Sequence, residues 1–538
     1  MIDTILINAN IHTLDSHQPK AKALAVRDGV IEAAGAEPEI RALAQPGTHV
    51  VDLGGRTVLP GLTDAHLHFE WYAFGLQDVD AETDTLEMAL ERVRAKAATL
   101  QPRQWVTGYG WNHNVWNLTG SGFPSAADLD RVAPANPVFL QAKSGHAAWV
   151  NSLALEMCGV TSETADPPGG HIDRRTDEAA SAPTGILLED AMELVQRQIP
   201  ERTAAQLADA MPLAQANAWR AGLTGVHDFD GPRSLAAWQM LRERGQLGLR
   251  VVKQLHGWRL DQALALGLRS GFGDDWLRLG SVKVFADGAL GPRTAAMIEP
   301  YIGEPGNYGL VVTDKEALHE LATRAAAGGL ALSVHAIGDK ANHDVLDVFE
   351  SLRQAEPPEA KGRLRHRIEH VQLLHPNDYE RLGRLGVIAS MQPVHATSDM
   401  HMADKYWGAR NAGAYAWRTQ LQAGAVLAFG SDCPVESFNP FWGIHAAVTR
   451  RRADGTPGPE GWYGAQRLTV AEAVRAYTQG AAYAGLMEHR LGSLSKGKLA
   501  DLIVIDRDIF ACDPMDIRGT RVLGTMVGGE WKFGPEAG

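Results

Sequence analysis

Cysteine is scarce in this chain, and basic tracts and long apolar runs are missing. The three cysteines in 538 residues, Cys158, Cys433 and Cys512, are scattered with no CxxC pair. That excludes a disulfide framework and fits a reducing compartment. No stretch approaches the ~20 apolar residues of a membrane span. The N-terminus, MIDTILINANIHTLDSHQ, carries acids early and has neither a basic region nor an apolar run, so the expectation is a cytoplasmic protein without a secretion signal. Acidic residues outnumber basic ones, 64 to 51, giving a net charge of −13. This argues against nucleic acid or an anionic membrane as partner. The expected partner is a small-molecule substrate, with a homodimer left open. A GxSxG elbow is also absent, which removes the common serine-nucleophile hydrolases. No fixed-period repeat or low-complexity segment is present.

What remains is the composition of a soluble globular protein with a large core, 45% hydrophobic and 21% charged, long enough for two or three domains. The first sixty residues read as short β segments, DTILINANIHTL, KALAVRDGVIEAAG and HVVDLGGRTVLPG, separated by turn residues such as Asp28-Gly29 and Gly54-Gly55. The C-terminus resumes that texture with GSLSKGKLADLIVIDRD and TRVLGTMVGGEWKFG. One small β-sandwich domain made from both termini, 1–58 and 490–538, is therefore expected.

The middle alternates strand and helix: GLTGVHDFD, LRVVKQLH, LRLGSVKVFADG, LALSVHAIGD, RHRIEHVQ, VIASMQPVH and AVLAFGSDCPV are strand-like. KEALHELATRAAAGG, HPNDYERLGRLG and NAGAYAWRTQLQAG between them read as helical. Such alternation implies a parallel sheet covered by helices. With VLPGLTDAHLHF as the first strand the count is eight, so the expected fold class is α/β, a (β/α)₈ TIM-like barrel over 59–489. Between its first two strands lies an insertion of about 70–215, with helical TLEMALERVRAKAATL, aromatic WVTGYGWNHNVWN, and VFLQAKSGHAAWVNSLAL. An insertion there is expected on the C-terminal face, where barrel active sites sit.

Unusual polar residues end these strands: His66 and His68 on the first, Lys283 on the fourth, His335 on the fifth, His370 on the sixth and Asp432 on the eighth. Residues two apart in a strand share a face, so His66 and His68 point the same way. The same alternation sends Lys283 inward while Val282 and Val284 face the helices. A buried lysine is costly without a partner, and desolvation favours its neutral amine, which can take up carbon dioxide as a carbamate. Taken singly, each residue has an ordinary reading: a hydrogen-bonded core histidine, a salt-bridged lysine, a turn-capping aspartate. Six such residues at the strand ends of one barrel make a set of ligands that zinc and its divalent relatives accept.

The β segment leading to LPGLTDAHLH, followed by VKVFADGALGPRTA, SVHAIGD, RIEHVQ, FGSDCPV and the closing GSLSKGKLADLIVID, resembles the metal-dependent amidohydrolase superfamily. KVFADGAL, SGHAAWVNS and the GW…W insert are similar to its YtcJ-like branch, which includes N-substituted formamide deformylases. The resemblance covers nearly the whole chain. It implies one or two divalent metals, usually zinc. His66 and His68 would hold one together with Asp432, His335 and His370 would hold the other, and a carbamylated Lys283 would bridge them. GPRTA stands where the branch more often has GSRTA, a departure that bears on substrate preference.

The reaction implied is hydrolysis of an amide-like, non-peptide C–N bond in an N-substituted formamide, N-acyl amine or cyclic amide. The metal lowers the pKa of its bound water toward ~7, and Asp432 acts as general base and then acid. Substrate contacts are assigned to Trp111, Trp116 and His146 in the insertion and to Asp287, Arg293 and His395 after the fourth and seventh strands. Two alternatives stay open. One is an isomerase or lyase on the same site; release of an amine with a carboxylic acid separates it from the hydrolase. The other is a non-catalytic metal-binding sensor or scaffold, against which an open barrel mouth counts, because a structural zinc is closed by four ligands.

Overall fold

The computed structural model describes residues 1–113, 115–116, 122–143, 145–175, 182–358 and 362–534; Asn114, Asn117 and Ser144 of the insertion motifs lie outside them. Eight strands form one parallel sheet in strict chain order: β1 (Leu62–Leu67), β2 (Leu223–Asp228), β3 (Arg250–His256), β4 (Leu277–Phe285), β5 (Leu332–Ala336), β6 (Arg367–His370), β7 (Ile388–Met391) and β8 (Leu427–Phe429). Sequential parallel neighbours need a crossover between each pair, and the helices expected from sequence supply several, such as Lys315–Ala327, Asp339–Ala355 and Pro393–Tyr406. Two of the expected helices are shorter than the pattern implied. HPNDYERLGRLG gives a 3₁₀ turn, Pro376–Asp378, and a short helix, Arg381–Leu385, stopped by left-handed Gly386. In NAGAYAWRTQLQAG the helix starts only at Trp417, because Tyr415 takes φ = +49° and its N–H donates to the Gln372 carbonyl.

The barrel closes at a seam between β1 and β8. Beyond the end of β8 the Asp432 N–H donates to the His66 carbonyl at 2.7 Å, and the His68 N–H donates to the Cys433 carbonyl at 2.8 Å. The buried Asp64 carboxylate ties the same seam, accepting from the N–H groups of His66 and Ser431, both at 3.0 Å, and from the Ser431 hydroxyl at 2.5 Å. No side chain fits at Gly430: a Cβ there would lie 2.4 Å from the His66 nitrogen.

Strands from both ends of the chain share one six-stranded sheet, in which Thr57–Pro60 runs antiparallel to Leu502–Ile505. A four-stranded sheet from the first 52 residues accompanies it, and its hairpin turns on Asp28 and Gly29, both with positive φ, as a type I′ turn requires. Leu6, Leu24, Val26, Val58, Leu502, Val504 and Met526 pack in one core between these segments. Pro60 ends the last of the N-terminal strands, and the chain passes through Gly61 into β1. A Cβ at Gly61 would meet the Thr224 hydroxyl at 2.2 Å, so this junction accepts only glycine without movement.

Residues 71–210 form a compact unit of their own. It has a mixed six-stranded sheet, the expected helix Leu86–Ala97 capped by Thr85, and a core around Val93, Trp111, Leu140 and Trp149. Among the described residues no helix is long and apolar enough to cross a membrane.

Candidate metal centre

His66 and His68 end β1 on the face that alternation assigns them, with ring centroids 5.8 Å apart. Their Nε2 atoms lie 3.5 and 3.4 Å from one oxygen of Asp432, Oδ1, which the seam carries across from β8. His370, at the end of β6, has its ring 5.0 Å from that of His66 and 4.5 Å from that of His335 on β5. Lys283 is buried on β4 with its ammonium over the rings of Phe229 and Phe285, and its charge acts on His66, His335 and His370 alike. All six residues expected at the strand ends therefore meet in one place. One ligand atom each from His66, His68 and Asp432 falls within 4.8 Å of the others, as does one each from His370, His395 and Asp432.

The hydrogen bonds around the four strand-end imidazoles follow one rule. His66 Nδ1 lies 2.6 Å from the Glu369 carboxylate, His68 Nδ1 lies 3.1 Å from that of Asp230, His370 Nδ1 lies 2.8 Å from the Gln392 amide oxygen, and His335 Nε2 lies 2.9 Å from the Gly288 carbonyl. Each partner is an acceptor, so the neutral ring keeps its proton on that nitrogen and carries a lone pair on the other. A metal-binding histidine needs this arrangement.

The electrostatics agree for three of the four rings. Burial lowers the pKa of His66 to about 4 despite Glu369, and burial together with Lys283 lowers that of His335 to about 3. His370 is pushed well below its ordinary value by burial and by His335. These three rings are neutral donors at pH 7. Burial also pulls on His68, but its bonds to Asp230 and Asp432 outweigh it and raise its pKa to about 10, marking the position where the protein's own charges favour a cation. Burial lowers Lys283 to about 8. Asp432, which burial would raise, is held well below the carboxylate range by His68 and the neighbouring imidazoles, and stays ionised. Neutral imidazoles, an ionised carboxylate and a lysine with a lowered pKa form a donor set that fits a divalent cation of zinc's kind.

Strain is concentrated here as well. His370 has φ = +77° and Asp432 has φ = +60°, both in the left-handed region that non-glycine residues avoid. The turn at His370 breaks strand alternation, so Glu369 and His370, adjacent in sequence, both serve the site. Glu369 was not anticipated from the sequence for that reason. It sits at 0% exposure against the buried Arg367, whose guanidinium also donates to His227 Nδ1 and the Ala65 carbonyl. Burial would raise Glu369, but Arg367 and His66 hold it well below the carboxylate range. Asp230 was also missed, although HDFD at the end of β2 shows two acids. The buried pair Lys253–Asp228 lies behind it, with Lys253 donating to the backbone oxygens of Asp228 and Asp230.

The residues expected to contact substrate are placed as follows. Asp287 is buried and accepts N–H bonds from Ala296, Ile337 and Gly338 at 2.8–3.0 Å. Its Oδ1 lies 3.6 Å from His335 Nε2, so it braces the loop after β5. Arg293 pairs with Glu304 at 2.7 Å beside the Tyr406 ring. His395, in the first turn of helix Pro393–Tyr406, is buried with Nε2 3.9 Å from Asp432 Oδ2. Within the insertion, Trp111 and Trp116 are buried and donate their indole N–H groups to the carbonyls of Leu140 and Thr83. His146 is exposed and sits 3.0 Å from Glu189.

Fold and donor set together define a class, a (β/α)₈ barrel whose carboxyl end gathers candidate ligands for divalent metal. The profile of the Amidohydrolase family matches residues 49–531. The chain belongs to the amidohydrolase family, in its YtcJ-like branch. It is 35% identical to Protein LONG AFTER FAR-RED 3 of Arabidopsis thaliana, covering 98% of this chain and 91% of that one. It is 32% identical to the putative amidohydrolase YtcJ of Bacillus subtilis, covering 97% of each chain. Identity to the N-substituted formamide deformylase of Arthrobacter pascens is 31%, covering 99% of this chain and 98% of that one. Among solved structures, an uncharacterized metal-dependent hydrolase from Pyrococcus furiosus superimposes with a TM-score of 0.77 at 31% identity, covering 94% of this chain and 99% of that one.

Proposed function

We propose that this protein is a metal-dependent hydrolase of a non-peptide, amide-like C–N bond, with an N-substituted formamide, an N-acyl amine or a cyclic amide as substrate. His66, His68, His335, His370 and Asp432 hold one or two divalent ions, zinc first among them, and Lys283 joins them as its carbamate. When bound, the metal lowers the pKa of a water molecule and polarises the substrate carbonyl. The remaining work falls to the chain. Glu369, Asp230, Gln392 and the Gly288 carbonyl fix which ring nitrogen of each histidine carries the proton. Asp432 takes the proton from water as the oxygen adds to the carbonyl carbon, then gives it to the nitrogen as the C–N bond breaks. One amide and one water thus become one carboxylic acid and one amine.

A single observation supports this role most. Asp432 places Oδ1 against both His66 and His68, while Oδ2 lies 3.9 Å from His395 Nε2, outside hydrogen-bond reach of that ring. One carboxylate can therefore bind metal through one oxygen and move a proton through the other. The formamide deformylase among the relatives supports an amide as substrate. The test is product analysis of zinc-loaded protein incubated with N-formyl, N-acyl and cyclic amides. Amine and carboxylic acid in equal amounts from a linear amide, or the ring-opened amino acid from a cyclic one, is the expected result. A product that is an isomer of the substrate, or an elimination product, would move the protein to the isomerase or lyase class.

A further inference from the structure

His395 breaks the rule that the four strand-end imidazoles follow. Its Nδ1 faces a donor, the Gln372 side-chain amide nitrogen at 3.3 Å, where the other four face acceptors. A neutral ring that accepts at Nδ1 carries its proton on Nε2. His395 Nε2 is buried, has no hydrogen-bond partner among the described residues, and lies 3.9 Å from Asp432 Oδ2. The residue is only 7% exposed, its ring nearly parallel to that of His370 at 6.2 Å, and it is fixed by the first turn of the helix that begins directly after β7. A buried N–H left without an acceptor costs free energy, and such groups are kept where a ligand completes them. Beside a metal centre for amides, that ligand is an oxygen that gains charge during the reaction.

We infer that His395 is a catalytic hydrogen-bond donor, its Nε2–H holding the substrate's carbonyl oxygen as the C=O electron pair moves onto that oxygen, and that Gln372 positions it by fixing the tautomer. No proton leaves His395. When the C–N bond breaks the pair returns to the carbonyl carbon, and the hydrogen bond weakens. His395 is thus set apart from the metal ligands even though its distances alone would admit it to a triad with His370 and Asp432. The inference rests on the hydrolase reading above and gives His395 its part in it.

His395→Ala, His395→Gln and Gln372→Leu are compared with the wild type for bound zinc, for kcat and KM on the amides, and for formate affinity by calorimetry; a product carboxylate puts an oxygen where the carbonyl oxygen was. Removing one such donor costs about 10²–10³ in rate. His395→Ala should lose that in kcat with little change in KM, keep its full zinc content and bind formate more weakly. His395→Gln, which retains an N–H donor, should recover part of both losses. Gln372→Leu, which takes away the donor that fixes the Nε2–H tautomer, should lose part of the rate while keeping its zinc. Loss of zinc from folded His395→Ala would make the residue a ligand and overturn the inference, as would unchanged kcat and formate affinity. If the wild type releases amine from no amide tested, the hydrolase reading falls, and the zinc and formate measurements still decide for or against His395.

Discussion

Each imidazole at the barrel mouth uses one ring nitrogen to fix itself and keeps the other for a ligand. The fixing groups differ in charge: Glu369 and Asp230 are carboxylates, Gln392 and Gly288 neutral oxygens. A carboxylate behind a histidine raises the ring's basicity as a ligand, so His66 and His68 are the stronger donors of the four. In the proposed reaction Asp432 carries the proton. Asp432→Asn should retain the fold and some metal but lose about 10²–10⁴ in kcat; activity near that of wild type in a folded, metal-loaded variant would remove Asp432 from that role. Lys283→Ala should lose bound metal and activity together, and short carboxylic acids, standing in for the carbamate, should restore a fraction of both. Failure of every short acid to restore metal would count against the carbamate.

Legibility at this scale followed backbone regularity. His66, His68 and Lys283 could be read because alternation holds where it matters locally: β4 pairs with β5 without a break from Val282 to Phe285, and His66 and His68 reach the same Asp432 oxygen. Asp432 could be read because its motif ends a strand. Glu369 could not, because φ = +77° at His370 turns two neighbouring residues toward one site, and no pattern in RIEHVQ announces that turn. The tautomers were out of reach of any sequence pattern, since each is set by a partner from a different strand or loop, as Glu369 sets that of His66 from 303 residues away.

Among elements, the β1–β8 seam matters most to the site. It joins the two strands that carry His66, His68 and Asp432 through backbone bonds at 2.7 and 2.8 Å and through the Asp64 carboxylate. Gly430 permits that approach. In Gly430→Ala the new Cβ would press on the His66 nitrogen at 2.4 Å and on Asp64 Oδ1 at 2.7 Å. The variant should lose about 1–3 kcal/mol of stability, the usual cost of overpacking, with metal affinity falling alongside. Denaturant unfolding with metal quantification checks both, and a variant of unchanged stability and metal content would show that the seam tolerates widening. The strands themselves were visible in the sequence because buried parallel strands are continuous apolar runs. Two intervening helices were overestimated because Tyr415 and the Pro376 turn leave helical geometry for tertiary partners.

Over the whole molecule, the β strands of the two termini and the barrel are joined by buried charge. Arg250 on β3 makes two 3.0 Å bonds to the Asp501 carboxylate, which also accepts from the Gly528 N–H. Alternation of strand and helix made the barrel readable, and the similar texture of both termini made their shared sheet readable. The mixed sheet of 71–210 was not readable, because its parallel and antiparallel pairs come from short, unevenly spaced strands. The strand-end residues are proposed as a catalytic metal centre. Stripping the protein with a chelator and titrating zinc back, while following amine release from an amide the wild type cleaves, decides this. Turnover should be absent without metal, rise with added zinc and level off at one or two equivalents per chain. Full turnover in protein shown by elemental analysis to be free of metal would contradict it.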